Sequence, residues 1–134
     1  MAKKMTKKYF KIGVVGLGRM GANIARHLKD DGFKVTAVYD MASGLATKVG
    51  KELGAQACKN MSDVTAAANV VITVVTDDKG TLGLFGASGD SLLKDAKGTT
   101  FINCATISPA THVEIEKRAA KAGASTLEGC MASS

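Results

Sequence analysis

Two hydrophobic rhythms alternate along the chain. Short, nearly continuous apolar runs, many of them β-branched, predict strands over residues 10–15, 34–39, 55–58, 70–75, 99–103 and 125–128. Between them apolar residues recur at helical spacing. Met20, Ile24 and Leu28 predict one face of a first helix ended by Gly32, and Leu45, Val49 and Leu53 predict a second helix over 42–53 stopped by Gly54. Asn60 or Ser62 is placed to cap a short third helix that finishes near Ala68. Segment 79–97 holds Gly80, Gly83, Gly86 and Gly89, which predicts one or two broken helices among turns. A last helix opens at Ser108-Pro109 and closes at Gly123. Regular strand–helix alternation implies a parallel sheet with helices on both faces. The expected fold class is therefore α/β, a doubly wound parallel sheet of six strands in the order 3-2-1-4-5-6. Val70-Val71-Ile72-Thr73-Val74-Val75 reads as a central strand buried on both sides, lying beside the first strand.

The turn between the first strand and the first helix reads Gly16-Leu17-Gly18-Arg19-Met20-Gly21. A G-x-G-x-x-G sequence is informative when it joins a strand to a helix, as it does here. Gly16 suits a tight turn, Gly18 lets the backbone approach a pyrophosphate, and Gly21 allows close helix–strand packing. Amides at the helix N-terminus then meet phosphate charge. Asp40 ends the second strand, about 20 residues on, where an acidic side chain reaches an adenosine ribose. Its charge would repel a 2′-phosphate, so NAD is favoured over NADP. The alternative role for Asp40 is a turn or helix-cap carboxylate. Arg19 either helps to neutralise a pyrophosphate or is simply solvated.

The 134 residues suit one domain, and the hydrophobic share of 46% is ordinary for a globular chain. Apolar runs fall far short of a membrane span, and the basic start lacks a signal-peptide core, so a cytoplasmic protein without membrane contact is expected. Of the formal charge of +6, Lys3, Lys4, Lys7 and Lys8 supply four units, leaving +2. Residues 1–9 are expected to be a basic flexible leader before a dinucleotide-binding domain over 10–134. No basic face interleaved with aromatics suggests nucleic acid. Cys58, Cys104 and Cys130 are odd in number and lack C-x-x-C spacing, which argues against a disulfide framework and against a zinc site. His27 and His112 have no catalytic partner at a readable spacing. Asp77 and Asp78, at the carboxyl end of the fourth strand, either line a cofactor cleft or cap a helix.

With these residues set out, the chain resembles the β-hydroxyacid dehydrogenases, the group of 3-hydroxyisobutyrate dehydrogenase, from Lys11 to Ser134. Ile12-Gly13-Val14-Val15-Gly16-Leu17-Gly18-Arg19-Met20-Gly21 is similar to that family's opening signature, in which the methionine is more diagnostic than the glycines. Val75 and Thr76 match positions along the cofactor, where the family usually has leucine and proline. Segment 102–109 resembles the D-x-S-T-I-x-P stretch. Thr106 matches a hydroxyl position near the nicotinamide, while Asn103 and Ala105 replace an aspartate and a serine. Residues 128–134 stand at the substrate signature, with Ala132, Ser133 and Ser134 in place of a serine and two glycines. The resemblance implies hydride transfer between a nicotinamide cofactor and a small 3-hydroxy acid. It also implies a catalytic lysine in a later helical domain, so residues 1–134 by themselves are expected to bind cofactor without turnover. Cutting away that domain would bare an apolar face and favour self-association.

Two other readings remain. A non-catalytic module that senses NAD(H) or another adenine nucleotide accommodates the altered substrate signature. A methyltransferase using S-adenosylmethionine shares the glycine turn and the acidic strand end, but lacks an account of the methionine-bearing signature and of Ile107-Ser108-Pro109.

Overall fold

A computed structural model of the chain describes residues 7–129. The strands are β1 (Lys11–Val15), β2 (Lys34–Tyr39), β3 (Gln56–Ala57), β4 (Val70–Thr73), β5 (Thr100–Asn103) and β6 (Ser125–Glu128). They form one six-stranded sheet in the order β3-β2-β1-β4-β5-β6, all pairs parallel. This is the expected doubly wound order. Five α-helices connect the strands: α1 (Arg19–Asp30), α2 (Ser43–Leu53), α3 (Met61–Ala67), α4 (Asp78–Leu84) and α5 (Pro109–Lys121).

Alternate strand residues supply two cores, except that a register shift at Thr36 of β2 puts both Val35 and Val38 on one face. On one face Ile12, Val14, Val35, Val38 and Ile72 meet Ala22 and Ala25 of α1 and Ala46, Val49 and Leu53 of α2. On the other, Val15, Ala37, Val71 and Phe101 meet Val64, Leu84, Phe85 and Ile115 of the remaining helices and the segment after α4. Phe85 and Phe101 pack edge to face, with ring centroids 5.3 Å apart.

Several boundaries differ from the sequence expectation for identifiable reasons. Met20 does not join a buried stripe; it is 47% exposed, and the buried positions of α1 are Gly21, Ala22 and Ala25. Small residues face the sheet because this helix lies unusually close to β1. β4 stops at Thr73, two residues early. The Val74 amide still donates to the Val15 carbonyl at 2.8 Å, but beyond it the chain leaves the sheet. In segment 79–97 the one helix is α4, which begins at Asp78; Asp77 caps it by accepting from the Gly80 amide. Of the residues expected in a basic leader, Lys7–Tyr9 form a 3-10 turn, and Lys7 pairs with Asp31 and lies 5.3 Å from the centre of the Phe33 ring.

Helix α3 is capped from a distance. Neither Asn60 nor Ser62 caps it with its own side chain. Instead the Asp90 carboxylate accepts from the Met61 amide at 2.8 Å and the Ser62 amide at 3.0 Å. Desolvation pushes the Asp90 pKa up, but these two amides, the Ser62 side chain and the charge of Lys94 together outweigh it, and the net result lies below the ordinary carboxylate value. A carboxyl lowered in the folded state contributes stability above its unfolded pKa and loses it as pH falls through the folded value. Asp90→Ala is therefore expected to cost about 1 kcal/mol at neutral pH, as loss of a helix cap does. In urea titrations the gap from wild type should shrink towards zero as pH falls below about 4. A gap of equal size at neutral and strongly acid pH would contradict this role.

A glycine-walled cleft at the reversal of strand order

Strand order reverses between β1 and β4, and open α/β sheets take ligands at that point, beyond the carboxyl ends of the strands. Here the chain leaves β1 at Gly16, whose φ of +94° is a conformation other residues rarely adopt. Its amide donates to the Tyr39 carbonyl at 2.9 Å, tying the bend to the end of β2.

The three motif glycines meet different surroundings. A Cβ on Gly16 would stand 2.3 Å from the Val74 carbonyl oxygen, and one on Gly21 would stand 1.7 Å from the Gly16 carbonyl oxygen. Backbone packing forbids side chains at both. Gly18 is the opposite case. Its φ of −62° and ψ of −174° suit any residue, and an added Cβ would find nothing within 4 Å. Folding does not require glycine there, so the bare position faces open space. Gly18 is also the N-cap of α1 and offers no capping side chain, which leaves the orphan amides of the first helical turn turned towards that space.

A cleft of about 340 Å³ lies over the bend, lined by Val15, Gly16, Gly18, Tyr39, Asp40, Met41, Val74, Val75, Thr76, Gly80 and Leu84. A second cavity of about 480 Å³ shares Tyr39, Met41, Gly80 and Leu84 with it and adds Met61, Asp77, Lys79 and Gly83. The fold thus brings together Gly16, Gly18, Asp40, Val75 and Thr76 from the expected site. Other expected members stand apart. Leu17 is a buried core side chain, Gly21 lies inside the helix contact, Arg19 and Met20 are exposed on the first turn of α1, and Thr106 is exposed in the loop after β5. None of these five lines the cleft. Ala132, Ser133 and Ser134 lie outside the described residues, as does Cys130.

Asp40 has an internal task beside any external one. One carboxylate oxygen accepts from the Leu17 amide at 2.7 Å and the other from the Ala42 amide at 2.8 Å. The turn-and-cap role is thus part of its function, and it fixes the glycine bend to the start of α2. A carboxylate has about four acceptor positions, so two bonds leave room for two more. The Leu17 amide is correspondingly committed to Asp40. Tyr39, beside it, has its phenol pKa raised by burial first and then by the carboxylates of Asp90 and Asp40.

Neighbouring polar groups hold the elements around the cleft. The Asp78 carboxylate accepts from the Ser108 amide at 2.9 Å, joining α4 to the cap of α5, and this bond is the main cause of its lowered pKa. The Ser108 hydroxyl in turn accepts from the Thr111 amide. The buried Thr73 hydroxyl donates to Asn103 Oδ1 at 2.7 Å, linking β4 to β5. His112 Nδ1 lies 3.4 Å from Glu128 Oε1, a pairing across α5 and β6 that sequence spacing did not disclose. Burial raises the pKa of Cys58 to about 11 and that of Cys104 in the same direction, so both are poor thiolate nucleophiles. Among the described residues no group of three or more His, Cys, Asp or Glu side chains is arranged to hold a metal ion. No helix among them is long and apolar enough to cross a membrane.

Comparison with known proteins matches residues 11–130 to the family described as the NAD-binding domain of 6-phosphogluconate dehydrogenase. The chain belongs to that family. This domain is 32% identical over 117 residues to 2-(hydroxymethyl)glutarate dehydrogenase of Eubacterium barkeri, a match covering 87% of this chain and 38% of that protein. It is 30% identical over 113 residues to mitochondrial 3-hydroxyisobutyrate dehydrogenase of Rattus norvegicus, covering 84% and 33% respectively. The structure of Psf3 in complex with NADP+ and 2-OPP superposes with a TM-score of 0.77 at 26% identity, over 86% of this chain and 40% of that one. The chain therefore spans little more than a third of the length of the curated relatives it matches.

The cleft residues missed in the sequence are Val15, Tyr39, Met41, Val74, Gly80 and Leu84. Tyr39 and Met41 flank Asp40, and the carboxyl end of β2 was the available signal. Gly80 and Leu84 belong to a segment whose glycines obscured its helix.

The glycine geometry gives a direct test of folding. Gly21→Ala is expected to cost more than about 3 kcal/mol, because no rotamer relieves a backbone overlap. Gly18→Ala should stay within about 0.5 kcal/mol of wild type, as an unhindered exposed site does. Thermal melts of both variants check this, and equal losses would contradict it.

Proposed function

We propose that this domain binds NAD in the cleft beyond β1, β2 and β4. Gly18 and the first-turn amides of α1 take the pyrophosphate. Asp40 takes the adenosine ribose hydroxyls through its two remaining acceptor positions, and Val75 and Thr76 follow the cofactor along the opposite wall. Arg19, exposed at the start of α1, adds positive charge beside the phosphates, and Thr106 serves the nicotinamide end. The observation that carries this reading is the contrast among the glycines: packing accounts for Gly16 and Gly21, whereas Gly18 stands uncrowded at the helix N-terminus, where a phosphate can approach the backbone.

The residues present fit such a group. An uncapped helix N-terminus favours an anion, and the cleft walls of Val15, Val74, Val75 and Leu84 suit the apolar faces of a nucleotide. NAD is preferred to NADP because the Asp40 carboxylate would meet a 2′-phosphate with like charge, and Met41, next in sequence, brings no cation. A relative bound to NADP+ keeps the question experimental.

Bound NAD would supply hydride chemistry, and this domain's share is to bind and orient it. By its relatives' activities, we infer a small 3-hydroxy acid as the substrate class, with substrate groups at Ala132, Ser133 and Ser134. The chain's own contribution to rate would then be to position the nicotinamide and to exclude water from the cleft.

Titration calorimetry tests the cofactor assignment. NAD+ is expected to bind at least about tenfold more tightly than NADP+, a difference of about 1.4 kcal/mol. Gly18→Ala should lower NAD+ affinity by about tenfold or more without lowering the melting temperature of the free protein. Tighter binding of NADP+, or unchanged NAD+ affinity in Gly18→Ala, would refute the assignment.

A further inference from the structure

Three methionines stand around the proposed cofactor site in different settings. Met41 follows Asp40, is 93% exposed, and lines both the cleft and the adjoining cavity. Met61 lines the adjoining cavity but is partly buried and packs against the second core. Met20 is 47% exposed on α1 and lines neither space. A surface methionine with no packing partner gains nothing obvious for the fold. Met41 also stands at the β2 terminus, where the bond from Ala42 to Asp40 fixes its backbone.

We propose that Met41 is a modification site: oxidation of its thioether by a peroxide-class oxidant weakens nucleotide binding in the cleft. The inference rests on the NAD-binding reading above. In the reaction the peroxide O–O bond breaks and one oxygen forms an S–O bond. The sulfur loses two electrons, and the peroxide is reduced to water or an alcohol. Exposure sets susceptibility, because the sulfur must be reached by the oxidant. By that measure Met41 reacts before Met61.

The consequence follows from where the sulfur lies. A thioether is soft and apolar, suited to contact with an aromatic base or an aliphatic wall. A sulfoxide is strongly dipolar and brings a hydrogen-bond acceptor. Pressed beneath a nucleotide it would be desolvated, and it would add a negative oxygen beside the Asp40 carboxylate. Both effects oppose binding. The change is reversible, since methionine sulfoxide reductases restore the thioether. Met20, though also exposed, lies outside both cavities and serves as an internal comparison.

The test treats the full chain with hydrogen peroxide, follows each methionine by peptide mass spectrometry, and measures NAD+ affinity before and after by calorimetry. Met41 sulfoxide is expected to form faster than Met61 sulfoxide, and affinity to fall about tenfold in step with Met41 conversion. Reductase treatment should restore it. In Met41→Leu the ratio of treated to untreated affinity should stay near one whatever its starting value, whereas Met20→Leu should remain sensitive. Slower oxidation of Met41 than of Met61, unchanged affinity at full Met41 conversion, or undiminished sensitivity in Met41→Leu would each overturn the inference. Failure of the untreated protein to bind NAD+ would overturn the function proposed above and this inference with it. Binding that survives Met41 oxidation removes this inference alone.

Discussion

One steric constraint organises the top of this domain: α1 touches the end of β1 at a distance that admits no Cβ. The Gly16 carbonyl lies where a side chain on residue 21 would begin, and the Val74 carbonyl lies where one on residue 16 would begin. These two approaches draw α1 and the segment after β4 onto the same bend. Burial of Gly21, Ala22 and Ala25 against the sheet follows from the first, and the early end of β4 from the second. The cleft is the space left between them.

Asp40 extends that constraint to the neighbouring strand. By accepting from Leu17 and Ala42 it locks the bend to the start of α2, so the residue with the chemistry to hold a ribose also holds the loop beneath it. Loss of this side chain would loosen the bend as well as remove two acceptor positions. A binding defect in an Asp40 variant therefore mixes both effects, which is why Gly18, structurally idle, is the cleaner probe.

Much of the fold was legible because its determinants are local. Glycines past helix ends, proline at the first turn of α5 and unbroken β-branched runs each express one short-range preference, and all six strands follow from them. The less legible features depend on partners far away in the chain. Asp90 caps a helix nearly thirty residues before it, and His112 meets Glu128 only because α5 returns antiparallel to β6. Met20 misled because its spacing fits a core stripe, while the close approach at Gly21 rotates α1 so that alanines, not the methionine, meet the sheet. For the site, the bend and Asp40 could be read directly, but its side walls came from Tyr39, Leu84 and Gly80, residues without a chemical signature.

The most direct measurement is a crystal structure of the protein grown with NAD+. The account predicts the pyrophosphate within hydrogen-bond distance of the amides at Gly18 and the first turn of α1, with a ribose hydroxyl on an Asp40 oxygen. A dinucleotide bound at another face, with no phosphate at the bend, would contradict it.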